Sequence, residues 1–273
     1  MKKDREQFYQ EVARYYDGQR EDINLILATK DKIVHHHSGI CEPSSIFPDM
    51  SEEELLAELH KQETALTLRG LEYLGVLGPE MTGLDAGCGR GGSSLLVNKL
   101  HGCFMKGVSL SSYQVKFANR IAMELGVSEK VKFYEENLLK LPFGQDNFDF
   151  IWACESTEHV PDLEEMFLEF RRVAKANARL IIIAGCGNPD HPEGAEFIKG
   201  INEWYHILIH SPSEYTAAAE KTGWKLIANV DLTPETIPYW HLRERSVLKT
   251  GVEKFVKGYE SGAGEYRLLP LSS

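Results

Sequence analysis

The stretch Leu84-Asp85-Ala86-Gly87-Cys88-Gly89-Arg90-Gly91 ends a short apolar run and opens onto the helix-forming segment Ser93–Leu100. A strand, a glycine-rich turn and a helix in that order build a nucleotide-binding loop. Glycines let the backbone approach a ligand and bend where a side chain would clash. A Gly-x-Gly pair alone is weak evidence, and the acid at the strand end strengthens it. Working outward, Thr82–Ala86, Phe104–Val108, Val131–Tyr134, Phe148–Ala153 and Arg179–Ala184 read as strands. Helical segments at Ser93–Leu100, Ser112–Leu125 and Leu163–Ala174 fall between most of them. This alternation predicts an α/β fold, a parallel sheet with crossover helices on both faces. The Gly- and Pro-containing stretch Cys186 to Ser211 breaks the rhythm. A helix at Pro212–Thr222, a strand at Trp224–Asp231 and a last strand at Glu265–Leu269 resume it.

Upstream of the glycine loop the chain reads as helical. Glu6 to Tyr16 sets Phe8, Val12 and Tyr15 at helical spacing. Ser51-Glu52-Glu53-Glu54 is a capping box for a helix running towards Leu74, with Leu55, Leu59, Ala65 and Leu68 on its apolar side. An irregular stretch, Ile33 to Met50, carries His35-His36-His37 and Pro43, and Gly78-Pro79 closes the region. The expected organisation is an N-terminal helical lid over residues 1–78 and an α/β core over residues 79–273. A second lid lies near residues 187–211.

The chain has 273 residues, 42% hydrophobic and 26% charged, which suits a soluble globular protein with a full core. Its 30 Lys and Arg against 41 Asp and Glu give a net charge of −11, the wrong sign for a nucleic-acid partner. An anionic substrate would need local arginines or a divalent cation. No apolar run reaches the length of a membrane span, and Met1-Lys2-Lys3-Asp4 leads into a charged helix, so no membrane association is expected. The five cysteines, Cys41, Cys88, Cys103, Cys154 and Cys186, are scattered without metal-ligand spacing. They read as free thiols of a cytoplasmic protein. The sequence leaves the oligomeric state open, and a homo-oligomer is compatible with it.

Asp85, at the strand end, can pair with the amino end or the sulfonium side of a ligand. The arrangement resembles motif I of class I S-adenosylmethionine-dependent methyltransferases. A dehydrogenase would show Gly-x-Gly-x-x-Gly and an acid at the end of the second strand. Here that strand ends in Gly107-Val108-Ser109-Leu110, with Gln114 following. The resemblance implies a Rossmann-like methyltransferase sheet and S-adenosylmethionine as cofactor, held by Asp85, Gly87, Cys88, Gly89 and Gly91. Most class I enzymes bind the ribose with an acid at the second strand. This chain offers Ser109, Leu110 and Gln114, with neutral hydrogen bonds of the kind found in a carbon- and tocopherol-type subgroup; alternatively Ser109 only caps the helix. Asn137 and Leu138 occupy the adenine-pocket position.

Further segments concern the acceptor: His35-His36-His37, Glu155-Ser156-Thr157, Asn202 to His210, Thr236-Ile237-Pro238-Tyr239-Trp240 with Leu242-Arg243, and the tail Thr250-Gly251-Val252-Glu253-Lys254. In combination they resemble the geranyl diphosphate C-methyltransferases and relatives that methylate other prenyl diphosphates, over essentially the whole chain. The resemblance implies C-methylation of an alkene in a small-molecule prenyl diphosphate, with Mg²⁺ held mainly by the diphosphate.

The chemistry is consistent with these residue types. An alkene is a weak nucleophile and must be held in line with the methyl donor. Attack leaves a tertiary cation, which aromatic faces stabilise by about 0.5–2 kcal/mol each. A single carboxylate adds charge stabilisation and removes the proton. Glu155 ends the fourth strand and matches the family's Asn-Glu-Ser-Thr segment, which makes it the expected base; the other reading is a helix-capping carboxylate. Glu158 reads as a helix-start charge. Trp204, Tyr205, Tyr239 and Trp240, with Tyr16, would form the aromatic wall, Tyr205 standing where the geranyl enzyme has phenylalanine. Each aromatic reads equally well as core.

Arg243, Arg245 and Asn24 are expected at the diphosphate. Three consecutive histidines cannot all face one ion, so His35, His36 and His37 are expected to hydrogen-bond the diphosphate or shape the pocket rather than hold zinc. The family's His-His-His-Tyr is His35-His36-His37-Ser38 here. Losing that aromatic opens volume, which brings farnesyl or isopentenyl diphosphate into consideration beside geranyl, with cyclisation of the cation as an option. The rival readings are a methyltransferase of a neutral terpenoid, aromatic or amine, and a non-catalytic adenosyl-ligand binder.

Overall fold

The computed structural model describes residues 2–18, 24–28, 30–205, 207–247 and 252–273. Three helices precede the sheet: α1 (Lys2–Gly18), α2 (Asn24–Leu27) and α3 (Glu52–Leu71). Then come β1 (Thr82–Ala86), α4 (Gly92–His101), β2 (Phe104–Ser109), α5 (Ser112–Glu124), β3 (Val131–Glu135), β4 (Phe148–Cys154), α6 (Leu163–Val173) and β5 (Ala174–Gly187). The remainder is α7 (Gly194–Tyr205), α8 (Pro212–Lys221), β6 (Lys225–Leu226), β7 (Val230–Asp231), α9 (Thr233–Glu244), α10 (Val252–Ser261) and β8 (Gly264–Ser272).

The strands form one sheet in the order β3-β2-β1-β4-β5-β8-β6, with β7 also pairing β8. The first five are parallel, and β8 runs antiparallel to β5. The order reverses between β1 and β4, which places a ligand crevice beyond their carboxyl ends. β5 is longer than its sequence pattern predicts. It pairs with β4 on one edge and with β8 from Arg179 to Gly187 on the other. The single strand expected over Trp224–Asp231 is two short pieces, both on β8.

Helix α3 carries the expected capping box, with Ser51 Oγ accepting from the Glu54 backbone and Glu54 returning the bond to the Ser51 N–H. Its buried stripe is Leu55, Leu59, Gln62, Glu63, Leu66, Thr67, Gly70 and Leu71. Leu68, expected on that side, is 43% exposed. Nine residues at roughly 100° each carry it to the opposite face from Leu59. The buried stripe shares one core with Trp152, Ile181 and Ile183 of the sheet, and a Cβ at Gly70 would lie 2.5 Å from the Trp152 ring. A boundary at residue 78 therefore cuts through a continuous core, and α3 is a layer of the sheet domain.

Helix α1 lies across the carboxyl edge of the sheet. Arg5 pairs with Asp162 at 3.1 Å and Glu165 at 2.8 Å, beside and within α6. Asp17 accepts from Ser111 Oγ at 2.7 Å and from the Tyr113 N–H at 3.0 Å. Among the described residues no helix is long and apolar enough to cross a membrane, and the cysteines are all unpaired.

Candidate active site

A cavity of about 870 Å³ opens at the switch point, where the β1–α4 turn, the β2 end and the β4 end meet under α1. The turn needs its glycines. Gly87 has φ +83 and a Cβ there would collide with Ser156, while Gly89 has φ +51 and faces His36. Asp85 lines the cavity and accepts from Ser94 Oγ at 2.6 Å. Burial pushes its carboxyl up to about 6. Cys88, Leu110, Asn137 and Leu138 line the same space. Gly91, expected as a contact, does not. It adopts φ +84 before α4 and packs against Phe133, so it shapes the turn from behind.

Ser109 and Gln114 form a pair at the end of β2: Ser109 Oγ donates to Gln114 Oε1 at 2.9 Å, and both line the cavity. The α5 N-cap is Ser111, whose Oγ accepts from the Gln114 N–H at 3.1 Å. The capping alternative for Ser109 thus falls away. Ser109 holds a neutral amide at the end of β2, facing the cavity.

A second cavity, with about 1430 Å³ of empty space, adjoins the first. Tyr16, His36, His37, Glu155 and His159 line both. Glu155 stands at the junction, directly after β4, with φ +46. That left-handed conformation is uncommon for a residue with a side chain and is held by surrounding contacts. Its Oε1 accepts from Tyr266 Oη at 2.6 Å and from the Ser38 N–H at 2.7 Å. Glu155 caps no helix; the short 3-10 turn Thr157–His159 has Ser156 at its start.

Trp204, Tyr205 and Trp240 line the second cavity, with Trp204 at the rim, 48% exposed and under Lys254. Tyr239 does not reach it. Adjacent helical residues point roughly 100° apart, and the Tyr239 ring is fully buried behind the wall. Sequence reading missed Tyr15, Phe255, Tyr259 and Tyr266, which complete the lining. Phe255 stacks on Trp240 with centroids 4.4 Å apart. The Phe255–Tyr259 spacing of one helical turn was a signal available in the sequence.

Glu158 is another correction. It is buried and lines this cavity, and its Oε1 accepts from the Gly185 N–H at 3.0 Å. Burial, then the Glu155 charge, push its carboxyl up to about 8, so it is chiefly neutral near pH 7.

The histidines divide. His35 lines only the cofactor-side cavity, with Nε2 3.2 Å from Thr64 Oγ1. His37 donates from Nδ1 to the Ser38 carbonyl at 2.8 Å, which leaves Nε2 to accept from Thr67 Oγ1 at 3.3 Å. Burial lowers the pKa of both, so they stand neutral. His36 reaches towards Gln114, its Nδ1 3.5 Å from the amide nitrogen.

Asn24 and Arg243 line the second cavity. Arg245 is exposed instead and donates to the Phe47 and Pro48 carbonyls at 3.1 and 2.6 Å. Two residues apart on a helix end, it points away from Arg243 and pins the segment before α3. No cluster of three or more His, Cys, Asp or Glu suited to a metal occurs among the described residues. His206 within the Asn202–His210 segment, and Thr250 and Gly251 of the tail segment, lie outside those residues.

A family profile described as a methyltransferase domain matches residues 84–182. With this sheet and this glycine cradle, the chain is a class I S-adenosylmethionine-dependent methyltransferase. Over 268 residues it is 37% identical to the geranyl diphosphate 2-C-methyltransferase of Streptomyces lasalocidi, covering 96% of this chain and 89% of that protein. It belongs to the geranyl diphosphate C-methyltransferase family. A solved geranyl diphosphate methyltransferase in complex with GPP and sinefungin superposes with a TM-score of 0.93, at 37% identity, over 97% of this chain and 99% of that one. The Streptomyces coelicolor enzyme in complex with Mg²⁺, geranyl-S-thiolodiphosphate and S-adenosyl-L-homocysteine gives 0.91, at 35% identity and 97% of each chain.

Proposed function

We propose that this enzyme methylates an alkene carbon of a prenyl diphosphate, C2 in the numbering of geranyl diphosphate, and that Glu155 takes the proton that leaves. The observation that carries the reading is the place of Glu155. It is shared by the donor and acceptor cavities and fixed by Tyr266 and the Ser38 N–H.

When bound, S-adenosylmethionine supplies an electrophilic methyl. The chain's own work is to hold the alkene at near-attack distance and keep the cation dry. The rings of Tyr205, Trp240, Phe255 and Tyr259 offer their faces to the cation without a nucleophile to trap it. The neutral Glu158 likewise avoids trapping it. The C–H bond at the methylated carbon then breaks, its electrons re-form the alkene, and the proton passes to the Glu155 carboxylate.

Arg243 and Asn24 face the diphosphate end in this reading. Mg²⁺, when bound, would be carried by diphosphate oxygens with Asn24 at its shell, since no cluster of three or more His, Cys, Asp or Glu suited to a metal occurs among the described residues. Helix α1 and the 187–211 segment act as lids that exclude water. Ser38 lines the acceptor cavity where the family has tyrosine. This favours farnesyl diphosphate as a second acceptor beside geranyl.

The test is turnover with S-adenosylmethionine and Mg²⁺ on five-, ten- and fifteen-carbon prenyl diphosphates and their parent alcohols, read by product mass. A methyl gain on the ten- or fifteen-carbon diphosphate, abolished by chelator, is expected. Methylation of the alcohols with full activity in chelator would instead establish a neutral terpenoid acceptor.

A further inference from the structure

Glu63 stands in the middle of α3, completely buried, and lines neither cavity. Burial pushes its carboxyl up to about 8, and its Oε2 has no hydrogen-bond partner among the described residues. Both features cost stability, and an apolar residue of that size would serve a purely structural role better. Buried titratable groups of this kind cluster at functional sites.

Glu63 is joined to the acceptor cavity by a directed chain. Tyr239 Oη donates to Glu63 Oε1 at 2.9 Å, and Arg243 Nη1 donates to the same Tyr239 oxygen at 2.8 Å. Tyr239 and Arg243 are four residues apart on α9, so one helical turn stacks them on one face. Glu63 reaches them from α3. Because the tyrosine proton is committed to Glu63, the hydroxyl lone pairs are turned towards the guanidinium. Without Glu63 the hydroxyl is free to swing its proton at Arg243 and repel it. Arg243 also sits over the Trp240 ring, 5.4 Å from its centroid.

We propose that Glu63 is a positioning residue that acts through the Tyr239 hydroxyl to hold the Arg243 guanidinium in place for the acceptor's diphosphate. The proposal rests on reading Arg243 as a diphosphate ligand. It gives Tyr239 a role in binding that its burial denies it as a cation-stabilising ring.

The test is steady-state kinetics on the prenyl diphosphate the enzyme turns over, with saturating S-adenosylmethionine and Mg²⁺, and cofactor affinity as the check on folding. Glu63→Leu and Tyr239→Phe are each expected to raise KM about three- to tenfold with kcat and cofactor affinity unchanged, the size of one lost hydrogen bond. The double variant is expected to match the worse single one, since the residues act in series. Glu63→Gln keeps a carbonyl acceptor for Tyr239 and is expected to stay within about twofold of wild type. Tyr239→Phe keeps the ring and carries the test if Glu63→Leu does not fold. A wild-type KM in Glu63→Leu and Tyr239→Phe, where Arg243→Met raises it, overturns the role of Glu63 alone. A wild-type KM in Arg243→Met removes the diphosphate reading and this proposal together. Equal losses of kcat and cofactor affinity in the Leu and Gln variants would mark Glu63 as structural and also overturn it.

Discussion

Glu155→Gln is expected to lower kcat by about 10²–10⁴-fold, the usual contribution of a positioned general base, with S-adenosylmethionine affinity unchanged. The substitution is nearly isosteric. The amide oxygen can still accept from Tyr266 and from the Ser38 N–H, the contacts that now hold Oε1. In the proposed role, what disappears is the negative charge offered to the cation and the site that would receive the proton. Both act in the transition state or after it, so the loss belongs in kcat more than in KM. Single-turnover product formation at saturating substrates measures it. A variant with wild-type kcat would exclude Glu155 as the base.

The second large effect is expected for Arg243→Met, which removes a guanidinium that lines the second cavity and keeps much of the side chain's bulk. Hydrogen bonds to charged groups contribute about 1.5–3 kcal/mol, so KM for the prenyl diphosphate should rise by about 10- to 100-fold. Arg243→Lys is expected to recover only part of this, because an ammonium lacks the guanidinium's planar fork. Cofactor affinity, measured calorimetrically, should stay constant, since Arg243 does not line the cofactor cavity. An unchanged KM would mean that the diphosphate is held elsewhere.

The donor half of the site was legible because it is local. Asp85, Gly87, Cys88 and Gly89 lie on one strand-to-helix turn, and the alternating pattern locates that turn at the sheet's carboxyl edge. Ser109 and Gln114 are legible for the same reason, being five residues apart on either side of the β2–α5 turn. The acceptor half is assembled from α1, α2, the histidine loop, α7, α9, α10 and β8, and no local pattern states which side of each element faces inward. Tyr239 and Trp240 show the problem: neighbours in sequence, one lines the cavity and the other points into the core. Glu158 reads as a helix-start charge until β5 is seen to deliver the Gly185 N–H to it. Glu63 left a fainter trace, as a lone acid in the apolar stripe of α3 between Leu59 and Leu66. A carboxylate at such a position points to a buried partner, but only tertiary structure supplies Tyr239.

What α3 packs against was not legible for a related reason. Capping and periodicity describe α3 as a helix, yet say nothing of what its stripe packs on. Its burial against Trp152 and Ile183 makes it part of the sheet domain. Helix α1, held by Arg5 and Asp17, contributes Tyr9, Val12, Tyr15 and Tyr16 to the linings of the two cavities.

The most direct measurement uses geranyl diphosphate, or the fifteen-carbon homologue if that is preferred, carrying deuterium on C2. Attack of C2 on the donor methyl followed by proton transfer to Glu155 predicts a methylated product whose mass shows the label lost. A methylated product that retains the deuterium would contradict the account, because the methyl would then have gone elsewhere or the proton would have left another carbon.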